Sequence, residues 1–120
     1  RSIVFQGSLL TRAQREGLAV TVSRANGCTY CEQHHAAALA RLPDGGVPLP
    51  PRFAAWAERL AREPERCSAA DIEDLRQLGL DDRAILDAVL TVAYFSFVNR
   101  LALALGVSLE AGFEMTCRPD

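Results

Sequence analysis

Residues 16–35 read Glu16-Gly17-Leu18-Ala19-Val20-Thr21-Val22-Ser23-Arg24-Ala25-Asn26-Gly27-Cys28-Thr29-Tyr30-Cys31-Glu32-Gln33-His34-His35. Apolar residues dominate up to Val22, and Asn26-Gly27 then supplies two residues that tolerate the left-handed geometry of a helix stop. Chemistry-bearing side chains begin immediately afterwards. The segment therefore predicts two helices joined by a tight turn. The first runs from about Thr11, a good N-cap, to Arg24, with Leu18, Val20 and Val22 among its apolar residues. The second starts near Cys28 and runs to about Leu42, where Pro43-Asp44-Gly45-Gly46 breaks it.

Outward from this hairpin the helical spacing recurs, and no β-branched run is bounded by hairpin turns. Pro48, Pro50 and Pro51 extend the break into a proline-rich connector. A third helix is expected over about Arg52 to Arg62, with Phe53, Trp56 and Leu60 three and four apart. Ser68-Ala69-Ala70-Asp71 resembles a capping box and opens a short helix through about Leu78. Asp81 or Asp82 then caps a long apolar helix to about Leu105, closed by Gly106. The tail from Val107 to Asp120 is ambiguous. The chain reads as one all-α domain over residues 1–120, an antiparallel helical bundle.

The 120 residues fit one core. A net charge of −2 and the absence of a basic run give no footprint for nucleic acid. All 13 basic residues are Arg, which excludes Schiff-base lysine chemistry and a phosphate-binding P-loop. The longest apolar stretch, Ala88 to Val98, falls short of the roughly 17–25 residues that span a bilayer, so no membrane segment is expected. No signal peptide is read. The chain starts at Arg1 rather than Met, and the native protein is expected to extend upstream. Four cysteines without an export signal point to the reducing cytoplasm, where close pairs are metal ligands or redox-active thiols.

The reactive constellation is Cys28-x-x-Cys31-x-x-x-His35. Behind Gly27, Cys28 falls at a helix N-terminus, where unpaired N–H groups favour thiolate. Cys31 follows by three residues, within bonding reach across one turn. His35 lies four further on, on the same face, and imidazole is the side chain that ordinarily changes charge near neutral pH. A dithiol beside a base serves reversible thiol–disulfide or peroxide chemistry. Glu16 lies about as far before the turn as His35 lies after it, so an antiparallel hairpin brings the two level. There Glu16 would orient His35 as the third member of a triad.

From these residues alone, half of a zinc site with His34 or His35 stays open, completed only if Cys67 and Cys117 converge on it. Haem attachment is excluded because Glu32 stands where CxxCH requires His. A thioredoxin fold lacks its βαβ setting. His34 faces another side of the helix, and Cys67 and Cys117 read as inert or exposed thiols. Trp56 and the cluster from Tyr94 to Phe97 read as core or interface packing, and the cluster could also wall a pocket. The charged residues between Glu58 and Arg76 read as a solvated face.

The Glu16-to-Cys28 interval, the string Ser23-Arg24-Ala25-Asn26-Gly27-Cys28-Thr29-Tyr30-Cys31-Glu32-Gln33-His34-His35 and the later Tyr94-Phe95-Ser96-Phe97-Val98-Asn99-Arg100-Leu101 together resemble AhpD-like alkylhydroperoxidases. These are members of the carboxymuconolactone decarboxylase superfamily, and the resemblance is to the peroxidase-related branch. It implies an all-α fold in a homo-oligomer, a trimer or a multiple of one, that reduces hydroperoxides through a Cys28/Cys31 disulfide. Carried over by position, Cys31 is the peroxidatic thiol and Cys28 the resolving, more accessible one. Glu16 and His35 form the proton relay, working through a bound water. No cofactor or metal is expected, only an external dithiol reductant or redox protein as partner. Tyr30 stands where some members carry a histidine, and the branch usually has helices upstream of Arg1. Two other functions use the same scaffold: a decarboxylase acting on a small lactone acid, whose chemistry needs no dithiol, and a non-enzymatic redox sensor or adaptor.

Overall fold

A computed structural model describes residues 10–43 and 48–108, and no strand occurs among them. Five helices follow one another: α1 (Arg12–Ala25), α2 (Thr29–Ala40), α3 (Pro51–Arg62), α4 (Ala69–Gln77) and α5 (Asp82–Leu105), with a 3-10 turn at Pro64–Arg66. This is the expected all-α bundle, with helix ends within about two residues of those read from sequence. The tail after Ser108 and Cys117 lie outside the described residues.

Each start has a local cause. Thr11 Oγ1 accepts the Gln14 N–H at 3.0 Å while Gln14 Oε1 accepts the Thr11 N–H at 2.8 Å, a reciprocal capping box. Pro51 occupies the first position of α3, where its missing N–H is harmless. Asp71 reaches back to the Ser68 N–H at 2.9 Å, and Asp81 accepts from Ala84 at the head of α5.

The α1–α2 turn decides the most. Gly27 sits at φ +75°, left-handed backbone that costs an L-residue roughly 1–2 kcal/mol. The Gly27 N–H donates to the Arg24 carbonyl and the Cys28 N–H to the Ser23 carbonyl, the paired bonds of a Schellman stop. Cys28 then turns from the end of one helix into the N-cap of the next, its sulfur accepting the Cys31 N–H at 3.3 Å. Two cross-links mark the antiparallel descent of the arms: Arg24 to Glu32 near the tip, and Glu16 to His35 further down.

Helix α1 runs through the middle of the packing, against α2, α3 and α5. Leu18, Ala19 and Val22 interlock with Phe53, Trp56 and Ala57 of α3 and with Ile85, Ala88, Val92 and Phe95 of α5. Each large apolar side chain buried there is worth about 1.5–3 kcal/mol. On α3 it is Ala57 and Ala61, not Leu60, that complete the buried stripe begun by Phe53 and Trp56. Small residues let the helices approach closely, which leaves Leu60 at the rim.

The apolar run from Ala88 to Val98 proves to be part of a 24-residue helix, long and apolar enough to cross a membrane by length and composition alone. The bounds of that helix are those read from sequence, from the Asp81 cap to Leu105 before Gly106, and the polar Asp87 and Asn99 that flank the run are buried in the bundle. One side of α5 packs on α1 and α3. The other leaves Leu86, Phe97, Leu101, Leu103 and Leu105 exposed.

Candidate active site

The hairpin sets Glu16 of α1 against His35 of α2 and seats Cys28 and Cys31 together at the start of α2. Glu16 is 3% exposed. Its Oε1 lies 2.7 Å from His35 Nδ1, and its Oε2 accepts from Arg12 Nη2 at 2.8 Å and Nε at 3.1 Å. Burial pushes the Glu16 carboxyl up, but hydrogen bonds and charge from His35 and Arg12 outweigh it, so the group sits below the usual glutamate range. An ionised carboxylate only accepts, so Nδ1 is the donor in this pair. In the neutral ring Nε2 then carries the lone pair and is the nitrogen that can take a proton. The Phe95 ring meets the imidazole edge-on at 4.7 Å and fixes its other side.

The structure holds Cys28 and Cys31 as free thiols, both only 2% exposed. The Cys28 sulfur lies over the first turn of α2, where it accepts the Cys31 N–H. Both cysteines share a small apolar cluster with Ala102 of α5, and Tyr30 packs partly over it. The accessible resolving thiol implied by resemblance is therefore not what the chain presents: Cys28 is as covered as Cys31, because the N-cap position draws its sulfur inward over the first turn. Burial pushes the Cys31 thiol up to about 11, and the Cys28 sulfur adds to the shift. The Asn99 amide acts the other way, as a donor that favours the anion.

His34 stands apart from the relay, its ring 5.7 Å from Tyr30 and 5.9 Å from His35. Burial and the neighbouring His35 hold its imidazole below the usual histidine range. Cys67 closes the 3-10 turn, half-buried against the core, and burial together with Asp71 pushes its thiol up. Among the described residues no three of His, Cys, Asp and Glu stand close enough to hold a metal ion.

The same arrangement of helices occurs in solved proteins. The crystal structure of an uncharacterized peroxidase-related protein from Silicibacter sp. TM1040 superposes with a TM-score of 0.78 at 28% identity, over 92% of this chain and 66% of that one. The alkylhydroperoxidase AhpD core of an uncharacterized peroxidase-related protein from Ralstonia eutropha JMP134 superposes with a TM-score of 0.80 at 26% identity, over 94% of this chain and 67% of that one. In sequence, the profile of the Carboxymuconolactone decarboxylase family matches residues 1–43, the stretch that carries all four reactive groups. This chain is similar to AhpD-like, peroxidase-related proteins of the carboxymuconolactone decarboxylase superfamily. It spans about two thirds of the length of the two solved proteins. Among curated proteins no sequence matches it.

Two side chains of this AhpD-like site escaped the sequence reading. Arg12 stands one turn before Glu16, and that i,i+4 spacing was a usable signal. Asn99 had none: it lies more than 70 residues from the hairpin tip in sequence and reaches it only in the folded chain. A polar residue inside an apolar helix was the hint.

Proposed function

We propose that this chain is a thiol-dependent peroxidase, reducing hydroperoxides through a Cys28/Cys31 disulfide with His35 and Glu16 as proton relay. The observation that carries this reading is the 2.7 Å Glu16–His35 pair on the helical face that bears Cys31. A thiol at about 11 is ionised at neutral pH to only on the order of one part in ten thousand. Such a thiol needs a base, and Nε2 of His35 is the base that Glu16 orients, directly or through one water.

The steps balance. His35 takes the Cys31 proton and the sulfur attacks the outer peroxide oxygen. The O–O bond breaks, the alkoxide leaves as alcohol with the proton returned by His35, and Cys31 becomes a sulfenic acid. Cys28 attacks that sulfur, the S–S bond forms and hydroxide leaves as water. An external dithiol then reduces the disulfide by exchange, so the two electrons given to peroxide come from that reductant. The cycle calls for no resident cofactor, and the reductant places it in a reducing cytoplasm. The exposed apolar side of α5, with Phe97 60% and Leu105 77% accessible, suits the homo-oligomer expected from the resemblance.

The test is hydroperoxide consumption by the purified chain with a small dithiol as reductant. Turnover that vanishes in Cys31→Ser and in Cys28→Ser is the expected result. Unchanged turnover in either variant rejects the dithiol cycle. A disulfide that forms and exchanges with a partner dithiol while peroxide is untouched identifies a redox adaptor instead.

A further inference from the structure

Glu16 is the centre of three side chains, and its two oxygens are divided between the other two. Oε1 faces His35 Nδ1 at 2.7 Å, while Oε2 accepts from Arg12 Nη2 at 2.8 Å and from Arg12 Nε at 3.1 Å. Arg12 stands one turn before Glu16 on α1, so the guanidinium closes on the carboxylate from within its own helix. Two donors on one oxygen also stop the carboxylate from turning, which keeps Oε1 presented to the imidazole. At 3% exposure, Glu16 has little water to carry its charge.

A buried carboxylate favours a cation beside it, and both of its neighbours can be one. Imidazole becomes a cation only by binding a proton, and both of its ring nitrogens are then donors. A His35 held in that form could not accept the Cys31 proton. The Arg12 guanidinium, by contrast, is charged throughout the working range of pH. With Arg12 in place, Glu16 and a neutral His35 need no further proton. Without it, one negative charge is left that a proton on His35 would cancel. No other group around the imidazole takes the place of Arg12. On α1, Arg15 Nη1 donates to the Leu10 carbonyl at 2.7 Å, and its charge is drawn more to Asp87 of α5 than to Glu16. On α2, the His34 ring lies 5.9 Å away, and the thiols of Cys28 and Cys31 sit at the helix start. From α5 the Phe95 ring, which does not titrate, closes at 4.7 Å.

We propose that Arg12 is a positioning residue of the relay: its guanidinium is the standing counter-ion of Glu16, which leaves His35 uncharged and free to act as base. Glu16 then orients the imidazole without claiming a proton for it. The inference rests on the relay reading above, in which His35 takes the Cys31 proton.

The test is an NMR titration of the His35 ring in the full, reduced chain. The chain has two histidines, so a His34→Gln background leaves the His35 Cε1–H signal alone in its region. Arg12→Met removes the counter-ion and should move the His35 titration midpoint up by about one pH unit. Arg12→Lys keeps the charge without the fork and should hold the midpoint near that of the parent chain. Thermal unfolding reports whether Arg12→Met folds. If it does not, Arg12→Gln, which retains an amide donor to Glu16 but no charge, takes its place with the same expected shift. A midpoint that stays or falls in the uncharged variant that folds overturns the proposal. So does an equal rise in Arg12→Lys, which would trace the effect to lost packing. Because the titration involves no peroxide, the two readings separate. A rise in a chain that never consumes peroxide retires the peroxidase alone, and an unmoved midpoint in an active peroxidase retires the role of Arg12 alone.

Discussion

Glu16 Oε1 and His35 Nδ1 stand 2.7 Å apart across the two arms of the hairpin, nineteen residues apart in the chain. The contact is buried on the carboxylate side and leaves the far ring nitrogen without the carboxylate. Glu16→Gln keeps the shape and removes the charge that selects the Nδ1–H tautomer. Peroxide turnover at neutral pH is expected to fall by roughly a hundredfold, within the range of general-base contributions. Steady-state consumption with saturating dithiol measures it.

The high Cys31 value makes the base dispensable in alkali. With His35→Asn, turnover at neutral pH should drop by a similar factor and then climb steadily with pH as the thiol begins to ionise unaided toward about 11. The variant's rate–pH profile, set beside that of the parent chain, checks this. A profile lowered by one constant factor at every pH would deny His35 the role of base.

Arg12 supports the relay from the other side of the carboxylate. Glu16 has a native value below its ordinary one near 4.5. Its stabilising contribution is therefore complete above that ordinary value and is lost as pH falls through the lower native one. Arg12→Met removes two of the donors that hold the charge, and should destabilise the fold by about 1–3 kcal/mol at neutral pH. The same change should move the acid limb of the melting temperature to higher pH. Thermal unfolding scanned from pH 7 to strong acid gives both numbers.

Gly27 carries the turn that delivers Cys28 to its place. An added Cβ at Gly27 meets nothing within 4 Å, so Gly27→Ala costs the left-handed backbone alone, roughly 1–2 kcal/mol. Denaturant unfolding should show that loss. The variant should also oxidise to the Cys28–Cys31 disulfide at a different rate, since its Schellman bonds position the Cys28 N–H.

Much of this was legible because it is local. A glycine stop, a capping threonine and a cysteine at the next helix start are all read within a few residues, and equal distances from one turn place Glu16 opposite His35 by geometry alone. What escaped comes from farther away or from the depth of packing. Burial, with the Cys28 sulfur adding to it, leaves Cys31 a weak acid, and no spacing reports how deeply a helix start will be covered. Asn99 approaches from a helix whose sequence shows only apolar residues with polar breaks. The bounds of α5, by contrast, were legible: Asp81 caps it and Gly106 closes it, as local signals at both ends indicate.

The two contributions to the dithiol have different origins in the chain. Every group proposed to gain or lose a proton or an electron is borne by one hairpin, while a neutral amide from α5, Asn99, ties down the tip of that hairpin through Ser23 and Asn26. The seating of the reactive hairpin therefore depends on an uncharged contact made more than 70 residues away in the chain.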